Sequence, residues 1–185
     1  MGIGTWCGGV ADELINSLVK SFLMPGRLRV SLLRWRGALI GRGAIIKGGS
    51  RFEAGSMEFG DRVWVSSSCR FDARLVLEDD VAVGPGVVIC TWTHDASRPN
   101  RRAGTARCEP VRLSQGTWVG AQAVILPGVT VATGCVIAAG SVVTRSTQPD
   151  GLYAGVPARR IRNLRTEEAS HFMKGTPSDN KGASA

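Results

Sequence analysis

Side chains that could do chemistry are concentrated in a polar stretch of the sequence, residues 93–110. His94 stands near its start and is one of only two histidines in the chain. A neutral imidazole has an ordinary pKa of about 6.5, so it can serve as a general base near neutral pH. We predict that His94 is such a base, and that Asp95 and Arg98 contact the other reactant, Arg98 through an anionic group. The alternative for Asp95 and Arg98 is that both are solvated charges of an exposed loop.

Residue types exclude several other kinds of site. A zinc centre with three histidine ligands needs three histidines, and the chain has two. The five cysteines lack metal-site spacing, and their odd number argues against a disulfide framework, which predicts a reduced, cytoplasmic location. No serine or cysteine stands in a nucleophile elbow, so no covalent intermediate is expected. We expect no signal peptide, and no apolar run in the sequence reaches the roughly 18 residues that cross a bilayer.

The elements that position His94 are indicated by a period of six residues. From Ile40 onward, large apolar residues recur at this interval, with one inserted residue before Phe59 and one interruption at residues 93–110. The last run is Val119, Ile125, Val131, Ile137 and Val143. Neither a helix nor an isolated strand repeats at six, so each unit is a short strand and a corner, and the units stack into a solenoid. Three units per turn predict about five coils of a triangular prism over residues 40–148, with residues 93–110 as an irregular excursion loop.

The segments outside the repeat have a different character. Residues 1–39 contain apolar residues at helical spacing and predict helices that cap one end of the solenoid. Between residues 25 and 51 there are seven basic residues and no acid, so these helices could also contact an anionic membrane surface, with the protein peripheral to the inner membrane. Residues 149–165 predict a turn, a short strand and a helix, and residues 166–185 a disordered tail. We assign no role to His171 in that tail and expect no nucleic-acid partner.

The run WVGAQAVILPGVTVATGCVIAAGSVVT, followed by AGVPAR, resembles the hexapeptide-repeat acyltransferases. It is most similar to their sugar O-acetyltransferases of the maltose, galactoside, nodulation-factor and colanic-acid types, and the similarity covers residues 40–164. The resemblance implies a mainly β protein, folded as a left-handed parallel β-helix and assembled as a homotrimer. It also implies transfer of an acetyl group from acetyl-CoA to a saccharide acceptor of polysaccharide biosynthesis, in clefts between subunits, with His94 as the base and no metal.

The same resemblance assigns the acetyl-CoA site to the second half of the repeat. Trp118 would flank the thioester end of the groove. Backbone groups of Ala121 and Ala139 would bond the pantetheine arm, although small residues at corners also serve packing alone. Thr144 and Arg145 would reach the adenosine end, with Arg145 on the 3′-phosphate.

Two further assignments follow from the resemblance. Arg159, in the GVPAR run, is a second candidate for a cofactor phosphate, since a guanidinium suits phosphate geometry. The sugar enzymes place an asparagine or an acid near the acceptor on an earlier coil, and Asp72 stands in that region. Because Asp72 follows the inward-facing Phe71, we expect its side chain to point outward. The alternatives to a sugar O-acetyltransferase are a non-catalytic β-helix scaffold and an acetyltransferase for another small molecule, of the serine or antibiotic type.

Overall fold

Strands of two or three residues follow one another along the chain at intervals of about six residues. A computed structural model describes residues 8–53 and 55–164, with side chains from Glu13 onward, so His171 and the predicted disordered tail lie outside the described residues. The described residues form two helices, α1 (Gly8–Lys20) and α2 (Gly26–Trp35), and nineteen strands. In chain order the strands are β1 (Leu39–Ile40), β2 (Ile45–Ile46), β3 (Arg51–Phe52), β4 (Met57–Phe59), β5 (Trp64–Val65), β6 (Arg70–Phe71), β7 (Leu75–Leu77), β8 (Ala82–Val83), β9 (Val88–Ile89), β10 (Trp92–Ala96), β11 (Ala103–Cys108), β12 (Val111–Leu113), β13 (Trp118–Val119), β14 (Val124–Ile125), β15 (Thr130–Val131), β16 (Val136–Ile137), β17 (Val142–Val143), β18 (Gly151–Ala154) and β19 (Arg159–Asn163).

Three sheets form the faces of the prism, and their strands are parallel except for β19. Sheet A has the order β1-β4-β7-β12-β15, sheet B β2-β5-β8-β13-β16-β18-β19, and sheet C β3-β6-β9-β14-β17. Each strand pairs with the strand one coil away, and pairing is in register throughout the prism, as between Ile46 and Val65. The predicted five coils are confirmed, because sheets A and C each contain five strands and β18 adds a partial sixth turn on sheet B.

The residues that repeat at six fill the interior of the prism. Phe71, Val83, Val119, Ile125 and Ile137 are at most 1% exposed, and the residues two positions before them are buried as well. Three phenylalanines, Phe52, Phe59 and Phe71, cluster in the first coils, with the Phe52 and Phe71 ring centroids 5.2 Å apart. Complete burial of each large aliphatic or aromatic side chain contributes about 1.5–3 kcal/mol, so the stacked core is the main source of stability.

The corners of the prism repeat at six as well. Residues with positive φ stand at positions 62, 68, 74, 80 and 86, and again at 116, 122, 128, 134 and 140. Several of these are not glycine, including Arg62 and Asp80, for which the left-handed conformation costs about 1–2 kcal/mol. The cost is partly offset here, because the Arg62 guanidinium bonds the Asp80 carboxylate of the next coil with an Nε–Oδ1 distance of 2.6 Å.

The two predicted helices lie against the first coil, α1 beside β3 and α2 beside β1 and β2. Arg29 of α2 is almost fully buried and donates hydrogen bonds to four backbone carbonyl oxygens, those of Val19, Ser21, Met24 and Ile46, at 2.7–3.0 Å. Three of these carbonyls belong to the end of α1 and the turn after it, and the fourth belongs to β2. Arg29 therefore joins both helices to the prism, and its burial lowers the pKa of the guanidinium. None of the helices within residues 8–53 and 55–164 is long and apolar enough to span a bilayer.

The predicted strand and helix after residue 149 are instead two strands. β18 extends sheet B beside β16, and Gly155, with φ +99°, reverses the chain so that β19 runs antiparallel along β18. A helix at residues 159–163 would leave the edge of β18 without hydrogen-bond partners, whereas β19 supplies them. The prediction of a helix here is therefore wrong.

Candidate active site

The excursion loop predicted to be irregular is an antiparallel hairpin of β10 and β11. Its pairing opposes Trp92 to Cys108 and His94 to Ala106, with an irregularity between His94 and Ala96. Exposure alternates along β10, as expected of a strand, but polar and apolar residue types do not, so the sequence carries little period-two signal here. The hairpin leaves the prism after β9 of sheet C and returns at β12 of sheet A.

His94 lies on the solvent-facing side of this hairpin. Trp92 and His94 are two residues apart on β10, so they share that face, and both are exposed. No residue that the structure describes makes a hydrogen bond to the imidazole of His94. The side chain is therefore accessible to a reactant and retains a nitrogen able to take a proton.

Asp95 lies on the opposite face of β10 and does not orient His94. Its carboxylate pairs with Arg107 of β11, with an Oδ1–Nε distance of 2.8 Å, and the same guanidinium lies 3.6 Å from Glu109. These contacts tie the two strands together near the base of the hairpin. Arg98 is exposed in the turn between the strands, where the Arg101 N–H bonds its carbonyl oxygen at 2.9 Å.

Asp72 follows the inward-facing Phe71, but at its outward position it is buried and not exposed to solvent. It is 5% exposed, and its Oδ2 accepts the backbone N–H of Thr91 at 3.0 Å, while Oδ1 is buried with no hydrogen bond and lies 3.8 Å from Arg70 Nε. Thr91 is the residue before β10, and its carbonyl oxygen accepts the Glu109 N–H from the end of the hairpin at 2.7 Å. From the outward position after Phe71, Asp72 holds the next coil. The backbone of Thr91 leaves the strand ladder there, so its N–H needs another acceptor.

Trp118, predicted at the thioester end, faces outward from sheet B. It stands in register between Ala82 and Val136, in a row that continues to Trp64 and Ile45. The row forms an apolar ridge along the outer face of this sheet.

Ala121 and Ala139 occupy equivalent positions one coil apart, where the chain turns from sheet B to sheet C. We call this edge, formed by residues 84–86, 120–122 and 138–140, the B–C corner. The Ala121 carbonyl oxygen accepts the Gly140 N–H at 2.8 Å. No backbone hydrogen bond within the described residues uses the N–H of Ala121 or of Ala139. Two stacked amide donors are thus available on one edge of the prism, as binding of a pantetheine arm requires.

Thr144, Arg145 and Arg159 lie at the C-terminal end of the prism. Thr144 and Arg145 follow β17 and are exposed. The segment before Arg159 folds back over the same strand, because the Val142 N–H bonds the Gly155 carbonyl oxygen at 3.0 Å and the Ala158 N–H bonds the Val142 carbonyl oxygen at 2.8 Å. Two exposed guanidinium groups therefore stand at this end, where a phosphate could be held.

The candidate residues fall at two different edges of one chain. Asp72, His94 and Arg145 lie where the chain turns from sheet C to sheet A, which we call the C–A corner, and Ala121 and Ala139 lie at the B–C corner. Sheet C separates these corners, so a single chain does not bring His94 against the two alanines. His94 and the two alanines can meet only where the hairpin of one copy lies beside the B–C corner of another.

Sequence reasoning did not anticipate two other features. A groove of about 490 Å³ crosses sheet A, lined by side chains that include Glu58, Glu78 and Arg112, with Arg112 Nη1 2.6 Å from Glu78 Oε1. Trp92 beside His94 also had no role in the prediction, although its place two residues before His94 is the signal that could have found it. In the part of the chain that the structure describes, no three His, Cys, Asp or Glu side chains converge as metal ligands.

The repeat matches a known family. Residues 110–145 match the family described as bacterial transferase hexapeptide (six repeats). These residues carry the repeat of that family, and the same six-residue units continue over the three sheets of the prism.

Curated relatives carry acetyltransferase names. A protein of Schizosaccharomyces pombe named as an acetyltransferase is 34% identical over 114 residues, which are 60% of this chain and 55% of that protein. Galactoside O-acetyltransferase of Escherichia coli is 29% identical over 149 residues, 79% of this chain and 73% of the relative. The chain thus spans between about half and three quarters of the length of these relatives.

Solved structures have the same fold. A hexapeptide-repeat acetyltransferase of Vibrio cholerae complexed with acetyl coenzyme A has a TM-score of 0.69 at 26% identity, covering 84% of this chain and 86% of that one. Galactoside acetyltransferase in complex with coenzyme A has a TM-score of 0.74 at 23% identity, covering 91% and 86%. These neighbours are left-handed β-helices, and a coil of the opposite hand would not superpose on them. The predicted left-handed parallel β-helix and the resemblance to the hexapeptide-repeat acyltransferases are confirmed.

Proposed function

We propose that this protein is an acetyl-CoA-dependent O-acetyltransferase that acts on a saccharide of the kind built into polysaccharides. One observation carries the proposal: the single long interruption of the prism is a hairpin that presents His94, exposed and without a hydrogen-bond partner in the described residues. The exposed indole of Trp92 on the same face offers a flat apolar surface to a sugar ring. The galactoside acetyltransferase name of one relative agrees with this acceptor class.

The described residues suit an extended donor with a phosphorylated end. The free amides of Ala121 and Ala139 offer donors to the amide carbonyls of a pantetheine arm, and Arg145 and Arg159 offer guanidinium groups to its phosphates. When bound, acetyl-CoA supplies an acetyl group already activated as a thioester.

His94 performs the proton transfer. Its imidazole takes the proton from the acceptor hydroxyl as the oxygen forms a bond to the acetyl carbonyl carbon, and it returns that proton to the sulfur as the carbon–sulfur bond breaks. Such general-base assistance contributes about 10²–10⁴ in rate. The proton is conserved within the site, so the reaction needs no covalent intermediate on the protein.

We place the reaction between copies of a homotrimer. The apolar ridge of Ile45, Trp64 and Trp118 on sheet B suits packing against another prism, since monomers rarely expose large contiguous apolar patches. A head-to-tail ring brings one face of each copy against a different face of the next. The hairpin of one copy then meets the B–C corner of its neighbour, which joins the two halves of the site.

The donor site is tested first, because acetyl-CoA binding can be measured by calorimetry without knowing the acceptor. We expect micromolar binding by the full chain, and loss of that binding in a Trp118→Ala, Arg145→Ala double variant. Absence of binding up to millimolar acetyl-CoA by the folded protein would refute the proposal and favour a non-catalytic scaffold. With galactosides as acceptors, His94→Ala should lower kcat by about 10²–10⁴. Thr93→Ala, on the other face of the same strand, should not.

A mixing experiment tests the site between copies. His94→Ala lacks the base, and Ala139→Glu places a bulky anion at the B–C corner, so each variant alone should be inactive. When the two are refolded together, activity should return to about a quarter of the wild-type value, because random mixing pairs two intact halves at about one interface in four. If no activity returns although mixed oligomers form, the site lies within one chain.

A further inference from the structure

Exposed apolar side chains are concentrated on the helices that cover the first coil. Of the twelve large apolar side chains that are exposed in the described residues, six lie between residues 14 and 35. These six are Leu14, Leu18, Phe22, Leu23, Leu28 and Trp35, and we call them the cap surface. Leu23 is 94% exposed, at the turn between α1 and α2, so packing within the chain does not account for it.

The cap surface follows helical spacing on both helices. Leu14 and Leu18 are one turn apart on α1, while Val19 and Asn16 point into the structure. On α2, Leu28 and Trp35 lie seven residues apart on one face, and the buried Arg29 and Leu33 lie on another. Both helices therefore have one side against the prism and a second, apolar side facing away from it.

Basic side chains flank this second apolar side. Arg27 of α2 directly precedes Leu28 and, with Ser31, lines a groove of about 610 Å³ between α2 and the first coil. Arg34, before Trp35, also lines this groove but donates its hydrogen bonds to the carbonyl oxygens of Ile40 and Gly41 at 2.7–3.1 Å. Residues 13–36 contain five basic residues and one acid, Glu13. The carboxylate of Glu13 is already paired with Arg51, with an oxygen–nitrogen distance of 2.5 Å.

The positive charge of the helices distinguishes between two partners that could cover the cap surface, a second copy of the chain and an anionic bilayer. A second copy docking through the same surface would bring two positive, acid-poor faces together, which is unfavourable. An anionic bilayer complements both features, because its headgroups attract the arginines and its acyl boundary accepts the leucines and the aromatic rings. Each basic residue near such a surface strengthens binding about fivefold.

We infer that the cap surface is a docking site for an anionic lipid bilayer. The two helices lie in the plane of the membrane, with Leu23 and Phe22 inserted at the level of the acyl boundary and Arg27 at the headgroup phosphates. Neither helix crosses the bilayer. The prism then extends from the membrane toward the aqueous phase, with the end near Arg159 farthest from the lipid. This inference does not depend on the proposed acetyl transfer.

Co-sedimentation of the full chain with vesicles tests this inference. We expect binding to vesicles of phosphatidylcholine mixed with phosphatidylglycerol, little binding to phosphatidylcholine alone, and weaker binding as salt rises to about 0.15 M. The variant Leu23→Ser, Leu28→Ser should bind the mixed vesicles at least tenfold more weakly. The matched control is Ile161→Ser, because Ile161 is 60% exposed against 59% for Leu28 but lies on β19, on the last coil. The control should bind as the wild type does.

Three results would overturn the inference. The first is wild-type protein that stays in solution with the anionic vesicles at low salt. The second is an equal effect of the Leu23/Leu28 and Ile161 substitutions. The third is a smaller oligomer of the Leu23/Leu28 variant in analytical ultracentrifugation, which would assign the cap surface to a second copy. Acetyl-CoA calorimetry on the same Leu23/Leu28 variant keeps this test separate from the proposed function, because its donor site is intact.

Discussion

The buried carboxylate of Asp72 should control the hairpin that carries His94. Its Oδ2 accepts the Thr91 N–H at 3.0 Å, and Thr91 in turn accepts the Glu109 N–H, so one side chain fixes both ends of the hairpin at its base. A hydrogen bond to a charged group contributes about 1.5–3 kcal/mol, and losing it leaves the buried N–H of Thr91 unsatisfied. Removal of the unpartnered Oδ1 returns part of that energy. For Asp72→Ala we therefore expect a loss of about 2 kcal/mol in the free energy of unfolding.

The assay is amide hydrogen exchange with chemical denaturation. In Asp72→Ala, protection of the Thr91 and Glu109 amides should fall by about 30-fold, the equivalent of 2 kcal/mol. Asp72→Asn keeps an oxygen for the Thr91 N–H and should lose less than about 1 kcal/mol. If the proposed function holds, kcat should fall in Asp72→Ala while the acetyl-CoA dissociation constant stays unchanged.

Asp79 offers a matched control for Asp72. Its Oδ1 accepts the Asp61 N–H at 2.8 Å, which is the same kind of coil-to-coil bond at a corner without a hairpin. Asp79→Ala should lower stability without changing exchange at Thr91. The reasoning is refuted if Asp72→Ala unfolds within about 0.5 kcal/mol of the wild type, or if Asp79→Ala releases the Thr91 amide equally.

Three other predictions concern the helices and the hairpin. Arg29→Met should lower stability by about 3 kcal/mol and expose the Gly49 amide, which bonds the Lys20 carbonyl oxygen, to exchange; Arg29→Lys, with fewer donors, should rescue only part of this loss. The hydrogen bond and charge of Arg51 hold the pKa of Glu13 below its ordinary value of 4.5. The Glu13–Arg51 ion pair therefore stabilises the docking of α1 above pH 4.5, and this stabilisation is lost as pH falls through the lower pKa of the folded state. Exchange of the Gly49 amide should show the loss in the wild type, and a Glu13→Gln variant that keeps the same pH dependence would contradict the assignment. Trp92→Ala should raise the acceptor KM about tenfold and leave the acetyl-CoA KM unchanged; an unchanged acceptor KM would remove Trp92 from the acceptor site.

The interior of the prism could be predicted because the recurrence of large apolar residues every six positions is visible in the sequence itself. Val119, Ile125 and Ile137 lie inside because a six-residue unit has only one favourable way to bury its apolar side chain. The hairpin was mistaken for an irregular loop because Thr93, His94 and Asp95 are all polar, so the strand's period of two appears in their exposure and not in their residue types. The burial of Asp72 was not predictable from its neighbours, since it depends on Thr91, nineteen residues away in sequence and one coil away in space.

The position of the hairpin explains how a regular solenoid can carry a reactive group without losing stability. β12 resumes sheet A in register with β7, opposing Val111 to Leu75 and Leu113 to Leu77, as though residues 92–108 were absent. The ladder and the core therefore continue past the insertion, and the bonds at Thr91, with those of Arg74 to the Cys108 carbonyl oxygen and of the Gly128 N–H to the Glu109 carbonyl oxygen, connect the hairpin to the prism. Because the coils also fix the corner from which the hairpin leaves, they fix the face at which His94 is presented to a neighbouring copy. The coils thus provide the stability, and the C–A corner sets the position of the base. A substitution at that corner should therefore move His94 while leaving the fold intact.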